Sequence, residues 1–211
     1  VEMSFVDQND VMETIEAVVK EAITAVGGKL KDQEFPVFTY QEAIEKFGAD
    51  KFDLRTEEDK QAGVLAFAWV IKFPFFKKVD STDVAEKRDG KSGYTFTHNP
   101  FSAPLPEFLA DHLAGTNVES ILTSQYDLVC NGYEAGGGSI RAHRPEELAA
   151  TFKIMGYSDD EIEKSVGHML KAFSLARTGS TGFDEKSTLT KLLSIRSMTS
   201  KYPRKSTERT S

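Results

Sequence analysis

Apolar positions along the chain fall into short strand-like runs and longer helix-like stripes. Val11, Met12, Ile15, Val18, Val19, Ala22 and Ile23 recur at the three- and four-residue spacing of a single helix face, with Asp7 or Asn9 as the cap and Gly27-Gly28 as the stop. Ahead of that helix, residues 1–5 read as a short strand. Residues 35–40 form a second strand-like piece that runs into Thr39-Tyr40-Gln41-Glu42, a capping box that opens a short helix ending near Gly48. Residues 64–73 are apolar on both faces, which predicts a central strand of a sheet and not an edge. Residues 77–91 are charged and predict a loop, after which residues 93–97 recover a strand pattern and deliver His98-Asn99-Pro100-Phe101 into a proline-punctuated loop. A helix over residues 145–155 has Pro145 in its first turn and Gly156 at its end. Ser158-Asp159-Asp160-Glu161 caps a last helix that turns Ile162, Val166, Met169, Leu170 and Phe173 to the core.

Residues 126–141 carry the chemistry. Asn131-Gly132 is a strong two-residue hairpin signal, because a type I′ turn needs positive φ at both positions. With that turn Val129 stands opposite Glu134 and Asp127 opposite Gly136, so Asp127 and Glu134 share a face as diagonal neighbours, roughly 7 to 8 Å apart. Two carboxylates so placed repel unless a cation lies between them, and Mg2+ with phosphate oxygens suits such a pair; a solvated acidic face is the plainer alternative. The glycines of Gly136-Gly137-Gly138-Ser139-Ile140-Arg141 weaken a strand and are tolerated where a ligand or another backbone approaches closely. Arg141 is at an odd spacing from Glu134, so placing it on the same face requires a bulge. An arginine emerging there grips a carboxylate through two parallel hydrogen bonds.

Composition narrows the setting. With 211 residues and 39% hydrophobic content the chain buries one substantial core. It has neither an eighteen-residue apolar run nor a leader pattern, which predicts a protein that avoids the membrane and is cytoplasmic. The single cysteine, Cys130, forms no internal disulfide and has no metal-ligand spacing, so it is expected to fill a strand position. A formal charge of −7 argues against nucleic-acid binding over the whole surface. Residues 177–211, with eight basic residues against three acidic ones, shift to Ser, Thr, Lys and Arg, which separates a core-forming part at 1–176 from a divergent or altered C-terminal segment.

The run Asn131-Gly132-Tyr133-Glu134-Ala135-Gly136-Gly137-Gly138-Ser139-Ile140-Arg141, with Glu2-Met3-Ser4-Phe5 upstream and Thr97-His98-Asn99-Pro100-Phe101 between, resembles bacterial-type aspartyl-tRNA synthetase, with gaps, from Val1 to about Phe173. The resemblance implies an α+β fold, an antiparallel sheet flanked by helices, as an incomplete class II aminoacyl-tRNA synthetase catalytic domain. It implies that Glu134 binds ATP and, with Asp127, a Mg2+ ion. His98 and Arg141 would bind the substrate L-aspartate, His98 from a loop that closes over the amino acid and Arg141 through the side-chain carboxylate. ATP is then a substrate, tRNA(Asp) the acceptor, and the intact enzyme a homodimer.

The resemblance also has departures. The family places an anticodon-binding barrel, a dimer-forming motif and an ATP-gripping arginine before the point matched by Val1, and an inserted domain where Phe52-Asp53-Leu54-Arg55 here runs almost directly into Val64. Farther on, Glu185 stands where the family has an arginine on ATP, and a negative charge there repels a triphosphate. A partial aspartate-tRNA ligase is therefore expected; the alternative is a noncatalytic amino-acid- or nucleotide-binding paralogue. Arg141 argues against a change of substrate to asparagine.

Overall fold

The computed structural model describes residues 1–178. Helix α1 (Gln8–Ala25) starts at an Asp7 capping box: Asp7 Oδ1 accepts from the backbone N–H groups of Asn9 and Asp10, at 2.8 and 3.1 Å, while Asp10 Oδ2 accepts from Asp7 N. Strand β1 (Lys29–Leu30) pairs in parallel with β3 (Val64–Leu65). Between them lie β2 (Val37–Thr39), α2 (Tyr40–Phe47) and α3 (Glu57–Gln61). Thr39 both ends β2 and caps α2 in the expected box with Glu42, and α2 stops at Gly48 in the left-handed region, φ 76°. Strand β4 (Phe67–Ile71) follows, then β5 (Phe76–Lys78), α4 (Val84–Asp89), β6 (Tyr94–Phe96) and α5 (Leu109–Ala114). The chain continues through β7 (Gln125–Cys130), β8 (Tyr133–Ser139), α6 (Pro145–Ile154) and α7 (Asp159–Thr178).

The main sheet has the order β2-β4-β7-β8, so that residues 67–71 of the apolar run at 64–73 form the expected interior strand, whereas Val64–Leu65 is a separate strand paired with β1 in a second sheet. Antiparallel pairing joins β4 to β7 and β7 to β8, whereas β2 runs parallel to β4 because the chain returns to the sheet through α2, α3 and β3. The α+β class is as expected. On one face Phe67, Trp69, Tyr126 and Leu128 pack beneath α1, against Met12, Val11, Ile15, Val19 and Ile23. Burying such side chains contributes about 1.5–3 kcal/mol each. Glu16 pins the helix to the sheet, accepting from Trp69 Nε1 at 3.0 Å and from Phe35 N at 3.1 Å. Ala68, Val70 and Val129 point to the other face, where Phe38, Phe47, Phe52 and Phe73 cover part of the sheet and leave the β7–β8 end open. α6 and α7 enclose a separate core of Ala142, Leu148, Phe152, Ile162 and Val166.

Two expectations fail. Residues 1–5 form no strand: no strand is offered to them among the described residues, Phe5 is 98% exposed and its φ is 59°. Residues 77–91 are not one loop, since β5 and β6 pair across them and Asp83 caps α4. Lys77 and Lys78 masked the strand because both are exposed while Phe76 alone faces the core. No helix of the described residues is long and apolar enough to cross a membrane. The expectations for residues 179–211, Glu185 included, lie outside the described residues.

Candidate functional site

The turn that organises the site has Asn131 at φ 54° and Gly132 at φ 87°, the two positive values the hairpin requires. It is anchored to the sheet and to the loop after α2: Asn131 Oδ1 accepts from Ala66 N at 2.9 Å, and Gly132 N donates to Phe52 O at 2.9 Å. Val129 stands opposite Glu134 as expected, but the next pair is Leu128 with Gly136, so Ala135 is the extra residue of a bulge. Asp127 consequently faces Gly137 and not Gly136. The bulge restores parity, so that Glu134, Gly137 and Ser139 follow the side of Asp127 along β8, while Arg141 lies two residues beyond the strand and its charge acts on Tyr126.

That register explains the glycines. A Cβ on Gly137 would stand 2.7 Å from Asp127 Oδ1 and 3.3 Å from Glu134 Oε1, and one on Gly138 would stand 2.6 Å from the Tyr126 hydroxyl oxygen. Both positions are kept bare by the protein's own side chains, while Gly136 faces open space. The two carboxylates thus converge over Gly137.

Asp127 is 1% exposed. Its Oδ1 accepts from Gln125 Nε2 at 2.9 Å, and its Oδ2 is buried without a hydrogen-bond partner. Burial, with the charge of Glu134 added, pushes the carboxyl above its ordinary pKa, against the Gln125 hydrogen bond and the fields of His98 and Lys51. Gln125 is aligned in turn by Asn99, whose Nδ2 lies 3.5 Å from Gln125 Oε1 and whose Oδ1 accepts from Phe101 N and Ser102 Oγ. His98 sets its ring edge-on to Phe73, with centroids 4.6 Å apart, and its Nε2 is 3.9 Å from Asp127 Oδ2.

Lys51, in the loop after α2, lies 3.2 Å from Asp50 Oδ2 and 3.4 Å from Glu134 Oε2. Burial disfavours its charge, but the Asp50 hydrogen bond and the fields of Asp50, Glu134 and Asp127 outweigh that and hold its pKa above the ordinary lysine value. The structure therefore assembles Asp127, Glu134 and His98 with Asp50, Lys51, Gln125 and Asn99. Arg141 is exposed and donates to Ser139 Oγ at 3.1 Å, not to either acid. Sequence reasoning missed Asp50 and Lys51, which only tertiary folding brings to β7. Gln125 had a legible signal, since it sits two residues before Asp127 on the same strand face. Cys130 ends β7 half-buried, its thiol pKa raised by burial. The hollows beside α2, lined by Phe38, Glu42 and Glu45 or by Tyr40, Ile44 and Lys72, lie apart from these acids, which occupy an open sheet face.

The sequence as a whole also has relatives among known proteins. The aspartate–tRNA(Asp/Asn) ligase of Prosthecochloris aestuarii is 39% identical over 132 residues, 63% of this chain and 19% of that protein. The aspartate–tRNA ligase of Streptomyces coelicolor is 36% identical over 140 residues, 60% of this chain and 22% of that protein. An aspartyl tRNA synthetase structure from Entamoeba histolytica superposes with a TM-score of 0.49 at 15% identity, over 80% of this chain and 33% of that one. The chain spans about a fifth of the length of the curated relatives it matches. The model of the tRNA synthetases class II (D, K and N) matches residues 1–198, nearly the whole sequence, and the chain belongs to that family.

Proposed function

We propose that this chain is part of the catalytic domain of an aspartate-tRNA ligase, which activates L-aspartate with ATP to aspartyl-adenylate and passes the acyl group to tRNA. The observation that carries this assignment is the buried, unpartnered Asp127 Oδ2 beside Glu134, over a glycine that keeps the space between them open. A buried carboxylate with one oxygen left without a donor is expensive for a scaffold and useful for binding a cation. Hard carboxylate oxygens that converge over an open sheet face fit Mg2+, and Asp127 and Glu134 would hold it. When bound, that ion would neutralise charge on the ATP phosphates.

The chain's own residues would then position the reactants. Glu134, 43% exposed at the side chain and tethered to Lys51, would face the nucleotide. Gln125, held by Asn99, fixes the Asp127 carboxylate so that one oxygen stays turned to the site. Arg141 would take the side-chain carboxylate of L-aspartate, and Ser139 steadies its guanidinium. His98 would close on the amino acid from its loop. Attack of the aspartate α-carboxylate on the α-phosphate forms the acyl-phosphate bond and releases pyrophosphate, a displacement served by positioning and charge stabilisation and needing no covalent catalyst. tRNA and a second copy of the protein are partners proposed for the longer protein on family grounds.

Aspartate-dependent exchange of labelled pyrophosphate into ATP tests the assignment on this chain and on the longer protein. Exchange that needs aspartate and is lost in Asp127→Asn supports it. Aspartate binding by the longer protein with no exchange would leave a binding paralogue and overturn it.

A further inference from the structure

The two nitrogens of His98 are placed for different tasks. Nδ1 lies 3.3 Å from Thr97 Oγ1, while Nε2 is turned to Asp127 Oδ2 at 3.9 Å, too far for a hydrogen bond. Asp50 completes the group: one ligand atom each from Asp50, His98 and Asp127 lie within 4.8 Å of one another. The three come from the loop after α2, the loop after β6 and strand β7, so the fold and not local sequence brings them together.

Proximity of acids alone identifies no site. The independent observation is Asp127 Oδ2, on a side chain 2% exposed, without a hydrogen-bond partner and aimed at the imidazole. An ion bonded at about 2.1 Å to both an imidazole nitrogen and a carboxylate oxygen holds them roughly 3.4 to 4 Å apart, the separation seen between His98 and Asp127. A neighbouring group on the far nitrogen, here the Thr97 hydroxyl, is the arrangement that fixes the ring of a metal-bound histidine.

We propose that Asp50, His98 and Asp127 form a site for a borderline divalent metal such as Zn2+, separate from the Mg2+ position assigned to Asp127 and Glu134. Imidazole suits Zn2+ and its neighbours, whereas Mg2+ prefers oxygen ligands and retained water, so the two positions differ in kind. Glu134 is drawn away toward Lys51, and the Lys51 ammonium, 3.2 Å from Asp50 Oδ2, is the resident cation that an incoming ion displaces. Asp127 belongs to both positions and His98 is the ring assigned above to the amino acid, so an ion here competes with Mg2+ and with aspartate. The site does not depend on the ligase assignment, because it is read by metal binding alone.

Co2+, whose visible d–d absorption reports its ligands, is titrated into the full chain and into His98→Ala, Asp50→Asn and Glu134→Gln. One tight equivalent is expected, displaced by stoichiometric Zn2+ and by Mg2+ only in large excess. Loss of even an outer partner of a ligand costs roughly 10- to 100-fold in metal affinity, so removal of a direct ligand in His98→Ala or Asp50→Asn should weaken Co2+ by about tenfold or more, while Glu134→Gln stays within about threefold. Should His98→Ala fail to give the wild-type circular dichroism spectrum, Asp50→Asn, in the half-buried loop after α2, decides alone. Binding lost in Glu134→Gln but kept in His98→Ala places the ion at the Mg2+ position, so that the ligase assignment stands and this site falls. Loose binding of several equivalents, or binding indifferent to both His98 and Asp50, also overturns it.

Discussion

Gly137 lies directly across the β7–β8 ladder from Asp127, and a Cβ at Gly137 would stand 2.7 Å from Asp127 Oδ1. The glycine therefore sets where the carboxylate can be. Gly137→Ala must push Asp127 off Gln125 or bend β8, at a cost of about 1–3 kcal/mol for overpacking. Gly136→Ala is the internal control, since nothing lies within 4 Å of its added methyl and its φ is not positive. It should leave stability within about 0.5 kcal/mol. Urea midpoints of the two variants check this, and equal midpoints would show that the Asp127–Gly137 packing constrains nothing.

Asp127 should trade stability for binding. Its carboxyl is held above its ordinary pKa, chiefly by burial and then by Glu134, so its charged form is a burden on the fold at neutral pH. For an acid whose folded pKa is raised, the folded state binds the proton more tightly, and stability increases as pH falls through that pKa. Asp127→Asn keeps the shape, removes the buried charge and should match or exceed the wild-type Tm at pH 7, while divalent-ion affinity drops about tenfold or more. A marked fall in Tm would mean that Asp127 is there for structure.

The caps of α1, α2 and α7 were legible because capping is local: Asp7, Thr39 and Ser158 each meet the residue three positions on. The Asn131-Gly132 turn was legible for the same reason, its two φ values being demanded by the residues themselves. The register beyond it was not. Three successive glycines permit a bulge at several positions, and its place at Ala135 follows from packing that the strand sequence does not contain: the Asp127 and Glu134 carboxylates over Gly137 and the Tyr126 ring over Gly138. Asp50 and Lys51 were invisible because their roles exist only once Phe52 and Leu54 have packed against the second face of the sheet. Residues 1–5 show the opposite error, since strand propensity without a neighbouring strand forms no strand.

His112 gives the fold a sensitivity to mild acid. The ring is fully buried, stacks on Phe75 with centroids 5.1 Å apart and lies with Nε2 2.9 Å from Thr151 Oγ1, while Nδ1 has no partner. Burial lowers its pKa to about 4. A depressed folded-state pKa means that the unfolded chain takes up the proton first. The stability of the neutral ring is therefore complete above the unfolded pKa, near 6.5, and is lost as pH falls toward 4. At pH 5 the loss is about 2 kcal/mol. Urea midpoints at pH 7 and pH 5 should fall farther for wild type than for His112→Leu; parallel falls would assign the acid sensitivity to other groups.

Arg141 is the sharpest test of substrate choice. Its guanidinium donates to Ser139 Oγ at 3.1 Å and is exposed, so it is available to an incoming anion. Arg141→Lys keeps the charge but replaces a planar fork by a point, and a lysine cannot hold a carboxylate through two parallel bonds. In the longer protein, kcat/KM for aspartate in pyrophosphate exchange should fall roughly 10- to 100-fold, about 1.4–2.8 kcal/mol, with KM for ATP unchanged. Ser139→Ala, which removes only the group that steadies the guanidinium, should shift the same parameter in the same direction by less. A fall in ATP affinity with aspartate kinetics untouched would move Arg141 to the nucleotide, and equal kinetics in all three proteins would remove it from the site.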